Sequence, residues 1–339
     1  MSMTHRLLAC LAVLAVASCG SPGGAAGRPS PSPSVAASTT PSSTALAPRG
    51  VVFDWVHARV VDVEAGTHGI QSPDSSRIWI GGESRIVTAT GELVGTVPNR
   101  KIGWRWADDS RHLCGAYFDS PAPPADNSAR TPTGLYETLP GSAPALIAQV
   151  GYLVAQSGPF VLGCSFGHGT ATVGESCVNS LCETWTVDLL SHRILSHLTN
   201  FAAVDPTSSL EGVLSPDGTL LAVSGSRAAV STIYRTAGGT VVTTLSGSKI
   251  VAFTADDKAV LVAHASGFVQ LLDLNGGVIA TLPGAEVQSA LAEPGGSRLA
   301  VALGSPGATS TGYPGTADIV VVGVDGQVEP IAQGVLPQF

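Results

Sequence analysis

Charge is scarce in this chain. Only 12% of its 339 residues are Asp, Glu, Lys or Arg, and lysine occurs just at Lys101, Lys249 and Lys258. A soluble domain ordinarily carries about a quarter charged residues, so this surface must be finished with Ser, Thr, Gly, Gln and Asn. Long surface helices are excluded by the same shortage, because their outer faces need Glu, Lys and Arg. The 40 glycines and 23 prolines would also interrupt helices repeatedly, whereas hairpin turns consume both residues. A net charge of −8 without Lys/Arg clusters excludes nucleic acid as a partner, since phosphate-backbone binding needs clustered cations. Long apolar runs are missing as well: Leu7–Ala17 spans 11 residues, against the ~20 a membrane-crossing helix needs.

Residues 1–18 have the layout of an export signal, with Arg6 as the positive start, Leu7–Ala17 as the apolar centre and small residues before a cut. Cys10 lies inside that centre and acts there as a small hydrophobe. Val16-Ala17-Ser18-Cys19 resembles a bacterial lipobox, in which a small residue precedes a lipid-modified cysteine. The resemblance implies that Cys19 becomes the mature N-terminus and carries the lipid; a plain secretory signal with Cys19 incidental is the alternative. Residues 19–49 are almost entirely Gly, Ala, Pro, Ser, Thr and Val, with Arg28 and Arg49 their charges. Such a segment cannot bury enough apolar surface to fold, so it reads as a tether, reaching roughly 90 Å extended or on the order of 30 Å coiled. Loss of residues 1–18 removes one basic residue and takes the net charge to −9. Membrane attachment is therefore expected through the lipid on Cys19 alone, with no basic patch to assist it.

From residue 50 to 339 a phrase recurs: an apolar strand, a small-residue turn with Asp or Gly, and a second apolar strand ending in small residues. Its six forms are Gln71-SPDSSRIWIGG, Arg105-WADDSRHLCGA, Ala155-QSGPFVLGCSF, Leu214-SPDGTLLAVSG, Phe253-TADDKAVLVAH and Ala292-EPGGSRLAVAL. Each is followed by a second apolar pair around a turn, as in Gly267-FVQLLDLNGGVIATLPG, which makes four strands per unit. Two longer intervals read as inserts, Ser120–Thr133 and Gly167–Leu181. A four-stranded unit of about 40 residues cannot bury both faces alone, and radial packing of six or more solves that problem. The expected fold is all-β, a β-propeller of four-stranded blades. Ser215-Pro-Asp-Gly, Thr186-Val-Asp-Leu and Leu272-Asp-Leu resemble the corresponding turns and strands of WD40-like and YncE-like propellers, without the Trp-Asp dipeptide or the Gly-His pair. Two further runs, VVFDW and ARVVDVE within Val51–Ala65, would begin a seventh blade, so seven blades are preferred to six.

Four cysteines remain after Cys10 and Cys19, in a chain expected to be exported and oxidised. Three pairings are open. Cys177 and Cys182 lie close together in one insert, and Cys114 and Cys164 fall at nearly equivalent second-strand positions of consecutive blades, so the expected bonds are 177 to 182 and 114 to 164. No C-x-x-C occurs and no histidine has ligand spacing to a cysteine pair, so no metal site is assigned. The turn acids Asp74, Asp108, Asp109, Asp217, Asp256 and Asp257 recur at matched positions because the blade recurs, and Asp caps its own turn. His57, His68, His112, His168 and His264 are scattered, and His192 and His197 are expected to face solvent. Trp104 and Trp106 alternate around Arg105, so both indoles should lie between blades. No nucleophile elbow or phosphate loop is present, and no catalytic residue or cofactor is assigned.

These features point to a lipid-anchored binding module on the extracytoplasmic face of the cell membrane, taking a protein or small-molecule partner of the envelope. The alternatives are a propeller enzyme of the lactonase, quinoprotein dehydrogenase or glycosidase kind, with its site at the central channel, and an envelope sensor or assembly factor. The bias to Arg over Lys and the Ala, Gly and Pro richness resemble high-GC, actinobacterial chains. The insert Gly167–Leu181 is the expected partner-contacting loop, because blade inserts lie on one face and vary freely.

Overall fold

A computed structural model describes residues 50–63, 69–80, 84–97, 103–118, 131–153, 159–178, 181–199, 210–225, 230–282, 286–304 and 317–334. All regular structure among them is β. A hairpin comes first, of β1 (Gly50–Asp54) and β2 (Arg59–Val63). Six antiparallel four-stranded sheets follow. Blade one holds β3 (Gly69–Gln71), β4 (Arg77–Ile80), β5 (Arg85–Thr88) and β6 (Leu93–Thr96). Blade two holds β7 (Gly103–Trp106), β8 (Leu113–Phe118), β9 (Thr131–Thr138) and β10 (Ala145–Leu153). Blade three holds β11 (Pro159–Ser165), β12 (Thr170–Val178), β13 (Leu181–Asp188) and β14 (Ile194–Thr199). Blade four holds β15 (Leu210–Leu214), β16 (Leu220–Gly225), β17 (Val230–Arg235) and β18 (Val241–Ser246). Blade five holds β19 (Ser248–Phe253), β20 (Ala259–His264), β21 (Val269–Asp273) and β22 (Val278–Leu282). Blade six holds β23 (Glu286–Ala292), β24 (Arg298–Gly304), β25 (Ala317–Gly323) and β26 (Val328–Gly334).

In every blade the strands are ordered as they occur in the chain. The first strands contact one another in succession around the ring, from β3 to β7, β11, β15, β19 and β23. The protein is therefore a six-bladed β-propeller with its first strands innermost. Burial follows radial position. The second strands β16 and β24 are buried along nearly their whole length, because a neighbouring blade covers each face, whereas the outer strand β18 is exposed at its ends and nowhere buried. This is why the second strands read as near-continuous apolar runs and the outer ones do not. The register between third and fourth strands slips in every blade, as at Ile86/Val87, Ile233/Tyr234, Leu271/Leu272 and Ile319/Val320. Such a bulge increases the local twist, turning the outer strand away from the inner one.

The preference for seven blades is corrected. VVFDW and ARVVDVE do form strands, but they stop as the two-stranded sheet β1–β2, and the last described strand, β26, is already the outer strand of blade six. Among the described residues no further strand pair completes a seventh sheet. The hairpin instead bridges the first and last blades. Phe53 of β1 is fully buried in one core cluster with Leu291, Ala300, Ala302, Ile319 and Val321 of blade six. The backbone of the same residue is held by blade one: Phe53 N donates to Gln71 Oε1 at 3.0 Å, and Gln71 Nε2 donates to Phe53 O at 3.0 Å.

Blade three also departs from the sequence reading. Its first strand is β11, ending at Ser165, and the interval Gly167–Leu181, expected as an insert, holds a turn and the whole of β12. Ala171, Thr172 and Val173 there are fully buried. Residues 170–174 are thus blade core, so the interval is no free insert, and the ground for expecting a partner-contacting role of it falls away. Cys164 consequently sits in an innermost strand, β11, not in a second strand.

The turns between first and second strands explain the repeated acids. Asp74 Oδ1 accepts from Ser72 Oγ at 2.7 Å and Ser76 N at 2.9 Å, and Asp217 Oδ1 accepts from Ser215 Oγ at 2.6 Å and Thr219 N at 2.8 Å. Burial alone would raise both carboxyls, but these bonds outweigh it and hold them below the usual range. The next residue takes a left-handed backbone in each, at Ser75 (φ 63°) and Gly218 (φ 71°). Asp188 and Asp273 cap the outer hairpins similarly, accepting from Ser191 N at 2.6 Å and Gly277 N at 2.8 Å.

The turns also stitch neighbouring blades. Asp74 N donates to Ser110 Oγ at 2.8 Å, Ser165 Oγ donates to the Pro216 carbonyl at 2.6 Å, and Asp217 N donates to Asp257 Oδ2 at 3.2 Å. Asp257 differs from the other acids of this series. It has φ 56°, its Oδ1 is buried without a partner among the described residues, and its pKa is pushed up to about 7 by burial first and then by negatively charged Asp217 and Asp256. A raised carboxyl pKa means that the stability associated with the proton is complete below the unfolded value near 3.8 and is lost as pH rises through about 7. Asp257→Asn is therefore expected to stabilise the domain by roughly 1–2 kcal/mol at pH 8, after discounting for partial exposure, and by little at pH 4. Urea midpoints of both proteins at the two pH values check this; an equal difference at both would refute the titration account.

Candidate functional site: the axial channel

The innermost strands surround two adjoining cavities. One, of about 450 Å³, is lined by Arg105, Phe160, Leu162, Leu210–Val213 and Lys249–Val251, from blades two to five. The other, of about 330 Å³, is lined by Ile70, Gln71, Pro73, Gly103–Trp106, Phe160, Val161 and Leu291, from blades one, two, three and six. Arg105 and Phe160 belong to both. Residues drawn from all six blades meet only around the ring axis, so the two cavities are parts of the central channel.

Strand periodicity aims Arg105. Trp104 and Trp106, 2% and 9% exposed, pack with Ile86, Val97 and Leu113 between blades one and two, as their alternation predicts. Trp106 Nε1 donates to the Ile70 carbonyl at 2.8 Å and fixes β7 against β3. Arg105 lies between them in sequence and on the other face of the strand. Surrounding protein lowers its pKa by desolvation, with no hydrogen bond or charge opposing that effect, yet its side chain remains exposed. Accessible surface decides what a ligand can reach, so Arg105 is an open cation, and a guanidinium stays protonated in any case.

The other two charged lining residues neutralise each other. Lys249 Nζ of β19 forms an ion pair with Glu211 Oε2 of β15, across the blade four to blade five junction. The rest of the wall is mainly apolar. Glycine allows the close approach of blades three and four that shapes this side: a Cβ at Gly163 would lie 2.5 Å from Leu214 Cβ, and one at Gly212 would lie 2.9 Å from the Ala222 carbonyl oxygen and 3.1 Å from Leu162 Cδ1.

The residues singled out in the sequence mostly lie elsewhere. A disulfide joins Cys114 of β8 to Cys164 of β11, tying blade two to blade three. Asp108 reinforces the joint: its carboxylate accepts from Phe166 N at 2.6 Å and Ser165 Oγ at 2.9 Å, and its own N donates to the Cys164 carbonyl at 3.1 Å. His112 bonds Asp109 at 2.5 Å through Nδ1 and stacks on Phe166 at 4.3 Å. Cys177 and Cys182 lie near the β12–β13 tip, next to the paired Val178 and Leu181; their sulfurs fall outside the described residues, and their bond stands as a proposal. Cys19, His68 and residues 1–49 lie outside the described residues as well.

The described histidines do not converge. His57 bonds Asp54 at 2.7 Å, His197 stacks on Trp185 at 4.8 Å, and His264 bonds Ser248 at 2.9 Å while stacking on Phe268. His168 and His192 are exposed. Among the described residues no group of three or more His, Cys, Asp or Glu is placed to hold a metal ion, and Glu211 is the one carboxylate lining either cavity. The sequence reading passed over Arg105, Glu211 and Lys249. The available signal was an ionic residue inside the first strand of a unit, as in Trp104-Arg-Trp, Leu210-Glu-Gly-Val-Leu and Ser248-Lys-Ile-Val.

No known family model and no curated protein matches the chain. Among solved structures it is similar to TolB from Acinetobacter baumannii, at 16% identity and a TM-score of 0.41, covering 79% of this chain and 63% of that one. It is also similar to the Cps50 (Swd1) β-propeller domain of Myceliophteria thermophila, at 12% identity and a TM-score of 0.42, covering 69% of this chain and 91% of that one. The chain thus spans less than two thirds of the length of the TolB chain, and the six-bladed assignment rests on the sheet topology itself.

Proposed function

We propose that this protein is an extracytoplasmic interaction module, held at the membrane by a lipid on Cys19, that receives its partner in the axial channel. The observation that carries the reading is the channel itself. Concave cavities with an apolar wall and a few convergent polar groups are the usual form of a binding site, and here a mainly apolar cavity and a larger one of mixed lining meet at an open arginine. The 19–49 tether would keep the domain clear of the bilayer so that the channel mouth is accessible.

Two experiments test the two halves of this proposal. Metabolic labelling with palmitate should mark the wild-type protein and leave Cys19→Ala unlabelled and released from the membrane fraction; equal labelling would exclude Cys19 as the acceptor. A photo-crosslinking amino acid at Val251, in the channel, should give discrete adducts on intact cells, whereas the same group at Leu190, 92% exposed on an outer turn, should not. Adducts at Leu190 alone would move the binding surface to the rim.

A further inference from the structure

We infer that the channel selects a ligand bearing a carboxylate on an apolar body, and that Arg105 is the residue that reads the charge. This rests on the channel being the binding site, and it adds the chemical class of what enters.

Among the described residues, three ionic side chains, Arg105, Glu211 and Lys249, line the two cavities. Glu211 and Lys249 are paired, so the described lining carries one net positive charge, and Arg105 supplies it. The chain as a whole has 25 acidic and 17 basic residues, so partners for a cation are plentiful. Some cations do find them: Arg298 bonds Glu293 through Nε at 2.8 Å, and Lys258 lies 3.2 Å from Asp256. Arg105 has no such contact with any described residue, and desolvation is the one influence on its pKa. It is both crowded by protein and open to the channel, which leaves its donors directed to whatever occupies that space.

Chemistry narrows the class. A guanidinium presents a planar fork of donors that matches a carboxylate in two parallel hydrogen bonds. A phosphate dianion would call for a second free cation, and Lys249 is already neutralised. Phe160 is shared by both cavities, and with Leu162, Val161 and Leu210 it offers an apolar wall, which suits the hydrocarbon or aromatic part of a small acid or the last side chain of a peptide. Cavities of 330 and 450 Å³ lie at the lower end of the usual range for small-molecule sites. The shared feature is a terminal carboxylate, whether on a free organic acid or on a peptide C-terminus.

The test is calorimetric titration of the mature full chain with 4-phenylbutyrate and with an acetylated tripeptide ending in leucine, each beside its neutral amide. At least one carboxylate probe should bind, with its amide weaker by about 10- to 100-fold, the range expected for a charge-assisted hydrogen bond. Arg105→Gln should lose the same factor, and Arg105→Lys should retain part of it. Glu211→Gln frees Lys249 and should tighten carboxylate binding several-fold. Thermal melts of the three variants matching wild type would establish that they are folded, as their exposed or half-exposed positions lead one to expect. Equal binding of acid and amide, or unchanged affinity in Arg105→Gln, would overturn the charge assignment while leaving the channel as the binding site. Failure of every probe to bind would overturn the carboxylate class, and the Val251 crosslink still decides separately whether the channel is occupied. The stronger binder of the two probes identifies the source of the carboxylate.

Discussion

Phe53→Ala is expected to destabilise the domain by about 3–5 kcal/mol, the usual cost of emptying a large aromatic site in a packed core. Phe53 is 0% exposed, belongs to one core cluster with buried side chains of blade six and meets Trp55 edge-on at 4.8 Å. The cost is concentrated at a critical seam. Each blade is built from four consecutive strands, so no blade is completed by strands from both ends of the chain, and closure falls to contacts between blades. The β1–β2 hairpin makes those contacts, with its side chain in blade six and its backbone held by Gln71 of blade one. Gln71→Ala should cost about 2–3 kcal/mol on its own, because it leaves the buried Phe53 N–H and C=O without their partners. Urea unfolding read from the midpoint at constant slope measures both. A loss below about 1 kcal/mol for Phe53→Ala would show that the hairpin is ornamental and that the ring closes without it.

Removing the Cys114–Cys164 bond should have an effect of similar size. The cysteines are 50 residues apart in sequence and 0% and 6% exposed. Loop closure of that length is worth about 4 kcal/mol on the chain-entropy account. The native joint should survive the loss, since Asp108 still accepts from Phe166 N and Ser165 Oγ, and His112 still stacks on Phe166. Most of the effect therefore lies in the unfolded chain. Cys114→Ala with Cys164→Ala is expected to lower the melting temperature by about 8 °C for a domain of this size without altering the ligand affinity of the channel. A shift below about 2 °C would contradict the entropic account. A loss of affinity at unchanged fold would show instead that the bond shapes the channel.

The sequence made the blades legible where their turns carry an acid and a small residue, as in Ser215-Pro-Asp-Gly and Thr254-Ala-Asp-Asp. The reason is physical: a tight turn needs both a side-chain cap and a left-handed residue. Blade three hid its frame because its turn, Ser165–Gly169, has no such acid of its own and borrows the Asp108 carboxylate from blade two. With the turn unmarked, β12 passed for an insert and Cys164 for a second-strand residue. The seventh blade was overread for a different reason, since local pattern shows that a strand forms but not whether further strands will pair beside it.

The channel was the least legible part. Arg105, Glu211 and Lys249 stand in three different units, each as the ionic residue in a short apolar strand, and no spacing relates them until the ring closes. What could be read was direction. Trp104 and Trp106 packing together implied that Arg105 faces away from them, and the structure adds that this direction opens into the channel.

Amide chemical-shift mapping of the mature, isotope-labelled protein during titration with 4-phenylbutyrate tests most directly whether that channel is where the ligand sits. Saturable shifts concentrated in β7, β11, β15 and β19, centred on Arg105 and absent in Arg105→Gln, are the expected result. Shifts confined to outer strands such as β14, β18 and β22, with the inner strands silent, would contradict it.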